Sequence, residues 1–175
     1  MSGRRYDVAF AVFADATVAR AVWDSATPDV VPGLTSSIGL IPDDGDGPDP
    51  EIRRHSDAAP PALELATVRV VDGRAPSSGI ERGLSNMVRA AVGPSAVTAL
   101  EREFATGAAV LILISLGGGA EAARRALDGV LALYLAEGVP AGVQLPTADS
   151  SGLAYASEPP PGTGEPGDPG QPLED

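Results

Sequence analysis

Nine consecutive residues, AAVLILISL from Ala108 to Leu116, carry no charge and include three β-branched side chains. A run this short cannot span a bilayer, and its near-uniform apolarity reads as a strand covered on both faces. Gly117-Gly118-Gly119 follows at once, and then AEAARRAL, so strand, glycine turn and helix are contiguous. Any fold for this chain has to place that strand inside a sheet and cover it twice.

The other elements fall around it. Tyr6–Phe13, YDVAFAVF, alternates Val8, Phe10 and Val12 with small or aromatic residues and predicts a strand. Asp15 is placed to cap a helix on which Val18, Val22 and Trp23 share a face, and Pro28 stops it. Thr35–Pro42 predicts a second short strand. Residues 43–61, Asp43 to Pro61, are dense in Asp, Gly and Pro and predict an exposed acidic loop. Ala62–Arg74, ALELATVRVVDGR, reads as a bulged strand closing in an Asp72-Gly73 turn.

Ser78 and Glu81 have capping-box spacing ahead of a helix whose apolar stripe is Ile80, Leu84, Met87, Val88 and Ala91. Gly93-Pro94 ends that helix and opens another carrying Val97, Leu100 and Phe104, with Gly107 as its stop. Ala120–Glu137 is expected to be the longest helix, closed by Gly138, and Val139–Pro146 a last edge strand. From Ser157 onward there are five acidic residues, no basic ones and almost nothing to bury, which predicts a disordered tail over 157–175.

Strand, helix, strand therefore occurs twice with an interruption between the copies, the split βαβ arrangement of ferredoxin-like sandwiches. The expectation is a single α+β domain of four to five strands over 1–156, with the acidic loop 43–61 inserted. The segments DVAFAVFADATVARAVW, from Asp7 to Trp23, and ALEREFATGAAVLILISLGGGAEAARRALDGVLALYLAEG, from Ala99 to Gly138, resemble the two halves of the bacterial general-stress-protein type of ferredoxin-like domain. In that family a V.VF strand precedes an acid-capped helix, and the second half runs helix, Gly, strand, helix. The resemblance brings no catalytic residues. Members often carry a Gly-rich apolar hairpin between the halves; DDGDGPDPEIRRH stands here instead, which argues against a membrane-associated role.

Composition removes whole classes of chemistry. All 12 basic residues are arginine, so there is no Walker lysine, Schiff-base lysine or lysine base. With no cysteine and a single histidine, His55, disulfides, thiol nucleophiles, Cys/His zinc sites and iron-sulfur ligation are excluded, and no metal or cofactor is expected. The formal charge of −12 repels phosphate backbones and anionic lipid, so neither nucleic acid nor membrane is an expected partner. Arg-for-Lys usage with heavy Ala, Gly and Pro fits a GC-rich bacterial coding bias. The opening MSGRRYDVAFAVFADA imitates a secretory signal, but Asp7 and Asp15 interrupt its core; a cytoplasmic location is expected.

Few candidate sites remain. Gly117, Gly119 and Ala122 satisfy the relaxed fingerprint G-x-G-x-x-[GA] between strand and helix. Gly117, Gly118 and Gly119 are thus candidate anion ligands through their amides, helped by Arg124. Against this, no further βαβ units follow, and no acidic residue falls where a ribose contact requires it. The competing reading is that the glycines only let a buried strand turn tightly into a helix. Asp44, Asp46 and Asp49 imitate a calcium loop that fails at Pro48 and His55. Arg53-Arg54-His55 reads as a solvated charged triplet, with docking of an acidic partner surface or of the chain's own tail as the alternative; His55 lacks the rigid setting a Ser/His/Asp triad needs, and Trp23 is expected in the core. Glu101 and Glu103 read as solvated helix-face carboxylates.

Two functions stay open. The first is a non-enzymatic domain acting through protein contacts, with a second copy packing sheet-to-sheet on the face that helices leave bare. The second is a small anion- or nucleotide-binding protein using Gly117–Gly119.

Overall fold

A computed structural model describes residues 4–42, 50–55, 59–117, 119–127 and 129–140. In chain order its elements are β1 (Arg5–Phe13), α1 (Ala16–Ser25), β2 (Leu34–Leu40), β3 (Glu51–Arg54), α2 (Pro61–Asp72), α3 (Gly79–Val92), α4 (Pro94–Ala105), β4 (Ala109–Leu116), α5 (Gly119–Ala126) and β5 (Ala132–Pro140). The fold is α+β.

The apolar run lies where its composition requires. β4 is the middle strand of one antiparallel sheet ordered β3-β2-β4-β1-β5, and Ile112 has Phe10 of β1 on one side and Ile38 of β2 on the other. The order is a split βαβ: β4 separates β1 from β2, which α1 connects, and β1 separates β4 from β5, which α5 connects. β3 is an addition outside that pattern, paired only to β2.

Both faces of the sheet are covered by this chain. On one, Ala19 and Trp23 of α1 and Ala123 and Leu127 of the α5 segment pack on Ala9, Ala11, Phe13, Leu111 and Leu113. On the other, α2 meets β4, α3 meets β5 and α4 meets β1, and Val8, Phe10, Val12, Val110, Ile112 and Ile114 are buried there. The face expected to await a second copy is thus occupied by α2, α3 and α4. The sheet-to-sheet contact loses its reason, because the missing cover is supplied from within.

Several elements form as the sequence predicts. Asp15 caps α1 by accepting from the amides of Thr17 (2.7 Å) and Val18 (3.3 Å), and Ser78 caps α3 by accepting from Glu81 (3.1 Å). Three expectations fail. Of the expected strand 62–74, residues 62–72 lie in helix α2: Leu63, Ala66, Thr67, Val70 and Val71 recur at helical spacing, Pro61 stands in the first turn, and Gly73, at φ +71°, ends the helix. The apparent bulge is this 3.6-residue period seen through β-branched residues.

The expected helix over 120–137 stops at Ala126, and Ala132–Pro140 is strand β5. Ala, Leu and Glu favour helix intrinsically, but here the free side of β1 offers a full row of backbone partners. Val139 and Pro140 of the expected last strand end β5; residues 141–146 lie outside the described residues, as does the tail expected at 157–175. Within the expected loop 43–61, Glu51–Arg54 is strand β3; residues 43–49, with Asp44, Asp46 and Asp49, lie outside the described residues.

Candidate functional site

The strand-to-helix turn is the first place to look for a ligand, and two of its amides, those of Gly117 and Ala120, already have partners. The amide of Gly117 donates to the carbonyl of Arg5 at 3.0 Å. The amide of Ala120, in the first turn of α5, donates to Oδ2 of Asp7 at 3.2 Å. Asp7 is buried on β1, and its Oδ1 accepts from the amide of Gly138 at 2.9 Å. One carboxylate thus stands at the positive end of α5 and also pins β5. An incoming phosphate would have to displace this carboxylate from the Ala120 amide.

Gly119 has a steric role: a Cβ there would collide with the hydroxyl of Ser115 on β4, so the helix starts this close to the strand only without a side chain. Arg124 is exposed and pairs with Glu121 at 3.3 Å. Gly118 lies outside the described residues. Of the four candidate ligands, two are therefore engaged in the turn's own packing and one in a surface ion pair.

Around β3 the basic cluster is tied down. Arg53 lies 3.8 Å from the ring centroid of Trp23 and donates to Asp24 at 2.9 Å. Trp23 is in the core, as expected. Arg54 donates through Nε (3.1 Å) and Nη2 (2.8 Å) to Oε1 of Glu64, while Oε2 accepts from the Ser36 hydroxyl at 2.6 Å. Glu64 is fully buried, so this network fixes α2 to strands β2 and β3.

His55 donates its backbone N–H to Thr35 at 2.8 Å, and its Nε2 is 3.4 Å from the Ser37 hydroxyl. Burial, and then the charge of Arg53, hold its imidazole below the ordinary value of 6.5. The pair resembles part of a triad, but Ser37 is fully buried and no acyl substrate reaches it.

Glu81 shows a similar architectural use of charge. Burial pushes its carboxyl up, but hydrogen bonds from Ser77 and from Arg69 (Nε to Oε2, 3.1 Å) outweigh this and hold it below 4.5. A shallow groove between α3 and α4, lined by Arg89, Pro94, Val97 and Glu101 among others, is crossed by the Arg89–Glu101 ion pair at 3.3 Å; Glu101 is thus paired, not simply solvated. Among the described residues no group of three or more His, Asp or Glu is placed to hold a metal ion, and no helix is long and apolar enough to cross a membrane.

Among the described residues, the sheet edge at β5 has no strand beside it. β5 pairs with β1 on one side only. Its nine residues carry one charge, Glu137, and Leu133, Tyr134 and Leu135 are half-buried. Leu131, just before it, is 57% exposed, and Val18 of α1, beside Gly129, is 38% exposed. The helix expected there hid this edge; the alternation of Leu133 and Leu135 against Ala132, Tyr134 and Ala136 was the available signal. Asp7 was also missed, although a carboxylate inside a buried strand demands a buried partner. No family model, curated protein or solved structure matches the chain.

Proposed function

We propose that this chain is a non-catalytic cytoplasmic domain acting through protein–protein contacts, with a ferredoxin-like fold of the bacterial general-stress-protein type. The observation that carries the contact reading is the outer edge of β5, where alternate residues of a nine-residue strand turn their backbone donors and acceptors away from β1, beside exposed apolar side chains. Such an edge is a template for another strand, and soluble chains normally blunt it. The split strand order supports the fold assignment, with β3 as an added edge strand.

Anion or nucleotide binding at Gly117, Gly118, Gly119 and Arg124 is the weaker reading, because Asp7 already accepts from the Ala120 amide. A thermal-shift screen with inorganic phosphate and nucleotides is expected to give no stabilisation; a ligand-dependent rise in Tm would revive it.

The contact reading is tested by a photo-crosslinking residue placed at Leu131, in cells that express the full chain. A covalent adduct with a polypeptide, whether another protein or this one, is expected. Absence of any polypeptide adduct there, and likewise with the probe at Glu137, would overturn the reading.

A further inference from the structure

The β5 edge contains a palindrome, Ala132-Leu133-Tyr134-Leu135-Ala136. An antiparallel pair of identical strands related by a two-fold axis sets residue i against residue j and j against i. Centred on Tyr134, that pairing places Leu133 against Leu135 of the partner subunit, Ala132 against Ala136 of the partner subunit, and Tyr134 against its own copy. Every cross-strand pair within the palindrome is then matched in size on both faces of the sheet.

Charge is compatible with the same register and excludes one alternative. Glu137 is the one charged residue of β5. With the axis at Tyr134 it faces Leu131 of the partner subunit, and the two Glu137 carboxylates lie about 20 Å apart at the rise of a strand. Sliding the axis to Glu137 would bring like charges directly opposite. The pairing also ends cleanly: a register shift between Tyr6 and Val8 leaves Glu137 and Gly138 as the bulged residues, Gly138 at φ +69°, and Pro140 has no N–H to donate.

We infer that β5 is a homodimerisation edge, pairing antiparallel with β5 of a second copy about a two-fold axis at Tyr134 to give one continuous ten-stranded sheet. The inference rests on the protein-contact reading and names the partner. Exposed Leu131 and Val18 flank the join and add apolar area to the backbone pairing.

The test is sedimentation equilibrium of the full chain over micromolar concentrations. The wild type is expected to approach twice the 17.6 kDa chain mass. Tyr134→Lys and Tyr134→Glu each set like charges together at the axis and are expected to weaken association at least about tenfold, whereas their equimolar mixture restores the dimer. Circular dichroism and melting of each variant check that it is folded.

A second readout does not depend on those variants, because the chain has no cysteine. Under mild oxidation Tyr134→Cys is expected to give a disulfide-linked dimer. Leu131→Cys should not, its copies being about 20 Å apart in this register. A wild type that stays monomeric throughout overturns the inference. So does a dimer that Tyr134→Lys leaves intact or that crosslinks through Leu131→Cys. If the photo-crosslinks of the previous section meanwhile join the chain to a different protein, the contact reading stands and only the second copy falls.

Discussion

The two edges of the sheet are built on opposite principles. At one, β3 is four residues long, carries Glu51, Arg53 and Arg54, and is locked from the side by Asp24 and Glu64. At the other, β5 is nine residues long with one charge and is held from within, through β1, α3 and the Asp7 carboxylate. A short charged edge offers a stray strand little to pair with; a long apolar one invites it. The contrast teaches that Arg53 and Arg54 close one side of the sheet, while the outer side of β5 has no such pair among the described residues.

The sharpest way to break the contrast is to remove what holds the open edge. Asp7→Ala leaves the buried amide of Ala120 and the part-buried amide of Gly138 without this acceptor and should cost about 3 kcal/mol in chemical denaturation. If β5 is pinned as described, hydrogen exchange should accelerate in β5 and the first turn of α5 before anywhere else. Uniform loss across the sheet would show that Asp7 does not act on that edge in particular.

At the closed edge, Glu64→Ala should cost about 2 kcal/mol. It frees Ser36 and Arg54, and half-exposed Arg54 recovers part of the loss from water. The loosening should appear in β3 and the start of α2, leaving β5 protected. Arg53→Ala is smaller, below about 1 kcal/mol, since its pair with Asp24 is exposed. Because Trp23 is the sole tryptophan, loss of the guanidinium over its ring should also change the fluorescence spectrum, which reads the closed edge directly.

Acid should sharpen the contrast most gently. His55 is held below 6.5, so as pH falls past that value the unfolded chain takes up a proton first. The stability this provides is present above about pH 6.5 and is lost as pH falls from there toward the folded value, at the β3 side. Glu81, held below 4.5, contributes stability that is complete above that value and is lost as pH falls below it. Denaturation midpoints measured from pH 7 to pH 4 should therefore fall slightly in the first window, and His55→Gln should flatten it.

Sequence legibility followed the physics of each segment. Ala108–Leu116 could be read because a run apolar on both faces has few homes, and α1 and α3 because Asp15 and Ser78 mark their starts. α2 was hidden because Thr67, Val68, Val70 and Val71 suit a strand locally, while the helical layer over β4 decides otherwise. β5 was hidden for the converse reason: ALYLAE suits a helix until β1 offers a ladder. The glycine turn was legible as a turn, but its neutralising partner lies 113 residues away, at Asp7. No local pattern joins those two positions.

What the outer row of β5 meets in solution decides whether this edge is open or paired. Hydrogen–deuterium exchange of the wild-type chain, followed over a hundredfold range of concentration, addresses it directly. Protection of the Ala132–Ala136 amides that do not bond to β1 should rise with concentration while β4 stays unchanged. The same exchange in those amides at every concentration would contradict it.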